Sequence, residues 1–246
     1  VGDRLYLFAV ASLAVAAAVT FPLLFAVTAP YGRHLRAGWG PTLDARLGWL
    51  LMEAPSPLLC LSAFAIGGGL RAPWSVWLLL GLYQLHYLYR SFVFPFRLKG
   101  GTRKPWLTVG LAFLFSVLNG SANGWGLARF AAPAGPWLAL GVGLFVVGWA
   151  INQHADAVLL GLRGPGETGY RIPRGGLYRW VSCPNYLGEI LEWLGFALAA
   201  GTAAAGVFAL FTAANLVPRA ASHHRWYRET FDDYPEERRA LLPFLW

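Results

Sequence analysis

NQHADAVLLGLRGPGETGYRIPRGGLYRWVSCPNYLGEILEW, residues 152–193, leaves an apolar segment, crosses a polar loop rich in glycine and proline, and re-enters apolar sequence carrying two carboxylates. Leu, Ala, Val, Phe and Trp dominate the rest of the chain. Within this one stretch fall Asn152, Asp156, Arg163, Tyr170, Arg171, Arg174, Arg179, Asn185, Tyr186, Glu189 and Glu192. Holding polar groups of both signs at a membrane boundary is costly, so a ligand site is the first reading. An arginine-rich loop lying on anionic lipid would account for the arginines. It leaves Asn185 and Glu189, inside the apolar segment that follows, unexplained.

Working outward, the 246 residues are 57% hydrophobic and 13% charged, against roughly 25% charged in an ordinary soluble domain. Mean hydropathy is +0.47. Long apolar runs then make this an all-α integral membrane protein, expected as a single unit over 1–246. The first apolar run exceeds a signal-peptide core and lacks a small-residue cleavage pattern, so it is expected to be retained. The net charge of +8 rests on eighteen Arg and two Lys. In a membrane protein that points to an asymmetric cytosolic face and away from nucleic acid. Cys60 and Cys183 have no metal-ligand spacing and no disulfide framework is expected. The five histidines are too few and wrongly spaced for a di-iron membrane oxygenase, so no metal is expected. The Ala, Arg, Gly and Pro content leans bacterial, which would place the chain in an inner membrane, or in the endoplasmic reticulum if the host is eukaryotic.

Seven spans are expected, near 5–27, 47–69, 73–96, 106–124, 136–160, 184–201 and 203–219. Only Gly201-Thr202 separates the last two, which reads as a tight helical hairpin. Sixteen of the twenty basic residues then fall on one side, three on the other, and Arg90 lies inside a span. The positive-inside rule puts the N-terminus outside and the C-terminus in the cytosol. Asn119-Gly120-Ser121 is formally a glycosylation sequon on the outer side, silent in a bacterial protein.

Glu53, in LLMEAPSPLL, sits in the second span, where an acid costs about 2.5–3.5 kcal/mol. It is therefore expected to face an internal cavity, where it can be protonated, with a kink at Pro55 and Pro57. In LYQLHYLYRSFVF, helical spacing sets Tyr83, Tyr87 and Arg90 on one face and His86 with Tyr89 on another. Tyr87 is the better site candidate, because tyrosines near a span end serve as interfacial anchors. GPGETG at 164–169 matches the spacing of a dinucleotide fingerprint, but no strand precedes it and no βαβ unit can be built around it. Its glycines read as turn formers, and a nucleotide's phosphates would be held by arginines instead. Gly141-Val142-Gly143 reads as helix packing. His223 and His224 are adjacent, so they cannot share a helix face or chelate one metal well.

GYRIPRGGLYRWVSCPNYLGEILEWLGFALA and PRAASHHRWYRETFDDYPEERRALLPFLW resemble the C-terminal signature of the steroid 5α-reductase family, and NQHADAVLLGLRGPGE its upstream element. The resemblance is dense over 152–246 and sparser through MEAPS and LHYLYRSFVFP. It implies a seven-span bundle with cytosolic cofactor-binding loops, which reduces the double bond of a 4-ene-3-one steroid with NADPH. Residues 1–124 would serve the substrate and 136–246 the cofactor. By matching position, Asn152, Asp156, Arg163, Tyr170, Asn185, Glu189, Arg219, His223 and Tyr227 are similar to the family's cofactor-binding residues. Glu53 and Tyr87 match the pair that contacts the substrate ketone. Arg171 and the basic loop 97–104 add positive charge for a 2′-phosphate, with Lys104 or Arg103 as its contact. This loop is longer than in the family, Met52 stands where a Gln often precedes the acid, and Ser222 interrupts an extended histidine run. A steroid-like lipid and the bilayer are the implied partners. An isoprenylcysteine-type methyltransferase would show Arg-His-Pro before the tyrosine, where this chain has Ser182-Cys183-Pro184-Asn185-Tyr186. An enoyl-CoA reductase shares the chemistry but must hold a charged CoA. A transporter would need inverted repeats, which the sequence lacks.

Overall fold

A computed structural model describes residues 2–98, 103–164, 167 and 169–246. Lys99 of the basic loop, and Pro165, Gly166 and Thr168 of the GPGETG stretch, lie outside them. The described chain is helical apart from its loops and one short antiparallel ribbon. Helix α1 spans Gly2–Ala26. After a 3₁₀ turn at Gly32–His34, β1 (Thr42–Asp44) leads into α2 (Ala45–Glu53). Asp44 caps α2, its carboxylate accepting from the amides of Arg46 at 2.9 Å and Leu47 at 3.2 Å. Pro55 and Pro57 bring no amide hydrogen, so the helical ladder breaks after Glu53 and resumes as α3 (Pro55–Ile66). The expected kink is there.

Helix α4 (Trp74–Leu88) passes through one π-helical turn, Tyr89–Val93, into α5 (Phe94–Arg97). Strand β2 (Arg103–Pro105) pairs with β1, Leu43 opposite Lys104. Then follow α6 (Trp106–Phe130), α7 (Pro136–Gly161), α8 (Pro184–Ala200) and α9 (Ala203–Thr230). Five segments are long and apolar enough to cross a membrane: α1, α2 with α3, α6, α7 and α9. Helices α4, of 15 residues, and α8, of 17, are shorter. Two ends differ from expectation. Helix α6 runs on to Phe130, and α9 carries straight through Pro218 to Thr230 because its amphipathic tail still packs on the loops below. The α8–α9 hairpin is as tight as its sequence suggests: Gly201 takes φ 63°, and Thr202 caps α9 by accepting from the Ala205 amide at 3.2 Å.

Glycine sets the closest helix contacts. A Cβ on Gly148 would lie 2.3 Å from the Glu192 amide nitrogen, and one on Gly188 2.5 Å from the Asn152 amide nitrogen. Gly141 and Gly195 face each other in the same way, each within 2.5 Å of the other helix's backbone once a Cβ is added. Helices α7 and α8 thus meet backbone to backbone along their length. Of the Gly141/Gly143 pair only Gly141 does this; a Cβ on Gly143 would meet nothing. Gly120 and Gly124 of α6 lie equally close to Ser56 and Cys60 of α3. Between these pairs sits an aromatic core of Tyr83, Tyr87, Trp193, Phe196 and Phe208. Both cysteines are buried and free.

Gly188→Ala is expected to force α7 off α8 and to destabilise the protein by about 1–3 kcal/mol, as overpacking does. Thermal unfolding in detergent measures it, with Gly143→Ala as the neutral control.

Candidate active site

Tight α7–α8 packing brings the first group of side chains together. Asn152 donates from Nδ2 to the Asn185 carbonyl at 3.0 Å, and Asn185 donates from Nδ2 to Asp156 Oδ1 at 3.1 Å. The other Asp156 oxygen accepts from Arg90 Nη1 at 3.3 Å. Arg90 lies over the rings of Trp49, at 4.8 Å, and Phe94, at 4.5 Å. The π-helical turn at Tyr89 shifts the helical register here. Arg90, within that turn, reaches α7 through its bond to Asp156. His86 is buried, whereas Tyr89 is half-buried beside Arg97. Glu189 and Glu53 act electrostatically on Arg90 from α8 and α2. With Asp156 and Glu192, four carboxylates thus act on one guanidinium.

The second group lines the loops below. Arg219 donates to Tyr186 Oη at 2.9 Å, and that oxygen also meets His223 Nε2 at 3.0 Å. His223 Nδ1 in turn meets His34 Nε2 at 3.2 Å. Burial, then Arg33, Arg219 and Arg36, hold the His34 imidazole down at about 4, so it is neutral at ordinary pH. His224 points elsewhere, to Ser182 at 2.6 Å, as its adjacency to His223 requires. Arg33 is enclosed by Tyr170, Trp226 and Tyr227, its guanidinium carbon 5.0, 4.5 and 4.5 Å from their ring centres. It donates to Tyr227 Oη at 3.2 Å, while its buried Nη1 has no hydrogen-bond partner. Arg163 lies over the Tyr170 ring at 4.8 Å. A cleft with about 210 Å³ of empty space is lined by Tyr31, His34, Arg219, Ser222 and His223, among others.

Alternation along β2 settles which basic residue points inward. Arg103 is exposed and bound to Thr42, at 2.7 Å to Oγ1 and 2.7 Å to the carbonyl. Lys104 is 5% exposed, with its ammonium 4.2 Å from the Trp49 ring centre and 4.8 Å from that of Tyr31. Burial, followed by Arg219, pulls it down to about 7, against the opposing pull of Glu53. Arg171 is not part of this interior; it is exposed and paired with Glu167 at 3.1 Å.

Deeper in the bundle, Glu53 ends α2, and no hydrogen bond joins its carboxyl to a described side chain. Among charged groups it acts most strongly on Tyr87. Tyr87 and Tyr83 both accept from Asn119 Nδ2, at 3.0 and 3.1 Å. Asn119 is fully buried, so its formal sequon does not reach the surface.

A family model described as 3-oxo-5-alpha-steroid 4-dehydrogenase matches residues 102–246. Over most of its length the chain is 43% identical to "3-oxo-5-alpha-steroid 4-dehydrogenase 1" of Bos taurus, covering 92% of this chain and 91% of that protein. The chain belongs to the 3-oxo-5-alpha-steroid 4-dehydrogenase family. It is a member of a family of oxidoreductases that act on CH–CH groups. The human protein of the same name is 39% identical over 87% of this chain and 85% of its own length. A plant relative, "Steroid 5-alpha-reductase DET2" of Gossypium hirsutum, is 40% identical over 99% of this chain and 98% of its own.

Several features of the polar interior escaped the sequence reading: Tyr31, Arg33 and His34, Asn119, and the pairing of buried His86 Nδ1 with Glu192 Oε1 at 2.7 Å. Tyr31-Gly32-Arg33-His34 carried a signal, aromatic and basic residues just past an apolar run, the same pattern that singled out 163–174. Asn119 and His86 carried none, since one polar residue on an apolar helix does not say what it meets.

Lys104 gives this interior a pH signature. Between about 7 and its ordinary 10.5 the unfolded chain holds a proton that the folded chain has released. Stability therefore rises with pH across that window, by up to about 1.4 kcal/mol per pH unit for one proton. Lys104→Met is expected to remove that slope, measured by thermal unfolding from pH 7 to 10 without cofactor.

Proposed function

We propose that this chain reduces the carbon–carbon double bond of 4-ene-3-one steroids to 5α-reduced 3-oxo-steroids, with NADPH as cofactor. One observation carries the reading. A cationic and aromatic cluster at one end of the bundle adjoins, further in, an acid and a phenol close enough to act on each other electrostatically: Glu53 and Tyr87. Family membership supports the same chemistry. The end cluster fits an anionic dinucleotide, because Arg33 keeps a buried, unpartnered N–H and Lys104 is buried without a carboxylate partner among the described residues. Lys104, Arg163 and Arg219 would meet phosphates, with Tyr170 and Tyr227 beside them and Arg171 adding positive charge from the exposed loop. Asn152, Asp156, Asn185, Glu189 and His223 would hold the remaining polar edges. When bound, the reduced nicotinamide supplies a hydride.

The chain's own part is polarisation of the ketone. An enone's β-carbon accepts hydride only as negative charge moves to its carbonyl oxygen, and donors already aimed there stabilise that charge. Glu53, carrying its proton, donates one hydrogen bond and the Tyr87 hydroxyl a second. A solvent proton then completes the α-carbon and the ketone is restored. The apolar fused rings enter from the bilayer side. In this reading α4 and α8 also cross, giving seven spans, with the N-terminus outside and the cluster and C-terminus in the cytosol; in a bacterial host the membrane is the inner one. The chain is one unit. Residues 1–124 mainly serve the steroid and 136–246 the cofactor, although Arg33 reaches across to Tyr170, Trp226 and Tyr227 of the second half.

Glu53→Gln keeps a donor and Glu53→Ala removes it, so activity is expected to fall in the order wild type, Gln, Ala. The Ala loss is on the order of 10²–10³ in kcat, with NADPH binding intact. Steady-state turnover of a 4-ene-3-one steroid panel, alongside cofactor titration, checks both; full turnover of a folded Glu53→Ala protein ends the mechanism. The excess of arginine and lysine further predicts a higher kcat/KM for NADPH than for NADH. Equal values for the two cofactors would remove the 2′-phosphate contact.

A further inference from the structure

Asn119 lies midway along α6 with no exposed surface, and its neighbour one turn on, Asn123, is equally buried. A buried amide is costly unless it is hydrogen-bonded, so the partners of this pair matter. Asn123 Nδ2 donates to the backbone carbonyl of Asn119 at 3.0 Å and to Asn119 Oδ1 at 2.9 Å. The backbone carbonyl can only accept, which fixes which end of the Asn123 amide faces it. A donor on Asn123 then fixes Oδ1 of Asn119 toward it. Nδ2 of Asn119 is left on the far side, against Tyr83 Oη at 3.1 Å and Tyr87 Oη at 3.0 Å. An amide nitrogen donates and does not accept. Both phenol oxygens therefore receive a hydrogen from Asn119, and neither can place its own proton there.

We propose that Asn119 is a positioning residue for this reaction, holding the Tyr87 phenol in place and leaving its proton free to be donated to the substrate ketone. The inference rests on the reading that Tyr87 meets that ketone. Accepting one hydrogen bond polarises the phenol and strengthens its O–H as a donor. The ring itself has little freedom, with Tyr83, Trp193 and Phe208 centred 4.7, 5.7 and 6.3 Å away. Asn119 acts at the remaining degree of freedom, the direction of the hydroxyl. Ser56 and Tyr83 also hydrogen-bond to the Tyr87 oxygen there and likewise leave its proton free. Asn123 is the support that keeps Asn119 from turning round.

The alternative is that Asn119 only ties α6 to α4. A double-mutant cycle on kcat separates the two. Asn119→Leu is expected to lower kcat by on the order of 10- to 10²-fold, with KM for NADPH unchanged. In a Tyr87→Phe background the same substitution should cost no more than about twofold, because the hydroxyl it serves is gone. Asn119→Asp, of the same size, carries the test if the Leu variant does not fold. It replaces the donor with an oxygen that captures the Tyr87 proton, so kcat should fall to the Tyr87→Phe level, whereas a simple tether would be served by Asp. Independent losses in the cycle, or wild-type kcat in Asn119→Asp, overturn the inference while leaving Tyr87 in its role. A Tyr87→Phe protein with full kcat overturns the reading of Tyr87 and this inference with it.

Discussion

Backbone contact between α7 and α8, opened by glycine at 141, 148, 188 and 195, is the constraint on which the polar interior depends. With any side chain at Gly148 or Gly188, the two helices would stand further apart. Asn152 could not then reach the Asn185 carbonyl, nor Asn185 the Asp156 carboxylate. Lipid offers no hydrophobic drive to press helices together, so small residues that permit close approach take over that work. The α3–α6 contact through Gly120 and Gly124 repeats the device on the other side of the bundle. Between the two, α4 is held with its tyrosines toward α6 and its arginine toward α7.

That arrangement sets up an uneven distribution of charge. Arg90 is buried but well supplied, with Asp156 bonded to it and Glu53 and Glu189 close by. Breaking such a pair by removing one partner costs about 3–5 kcal/mol, which keeps α4, α7 and α8 in register. Arg33 and Lys104 have no such carboxylate partners among the described residues; aromatic faces hold them instead. Cations kept on rings rather than on carboxylates stay available to an outside anion. The acids thus crowd one guanidinium, while Arg33 and Lys104 lean on tyrosine and tryptophan instead.

Much of this was legible in the sequence. Apolar runs and their polar interruptions marked the helices because lipid admits little else. Gly201-Thr202 marked the α8–α9 hairpin, and Pro55 and Pro57 the break after Glu53. Asn152, Asp156 and Asn185, flagged as polar residues at a span edge, do meet. Less legible were features that depend on a neighbour. Spacing placed Arg90 near Tyr87 but gave no sign that it would bond Asp156 of α7. Asn119 read as a surface sequon and is the most enclosed amide in the bundle's centre, together with Asn123. Arg103 and Lys104 looked interchangeable until strand pairing with Thr42 and Leu43 turned one out and the other in.

By itself the sequence determined that this is a multi-helix membrane protein with its charges gathered in a few loops, because hydropathy and helix-breaking residues act locally. Its C-terminal motifs also determined the family. Only the tertiary structure decided which polar groups share an interior. His34 meets His223 from 189 residues away, bringing Tyr31 and Arg33 to the same cluster, and His86 finds Glu192 from 106 residues away. A polar side chain in an apolar helix announces that it needs a partner, but the partner is chosen by which backbones can approach. Here that choice rests with a handful of glycines.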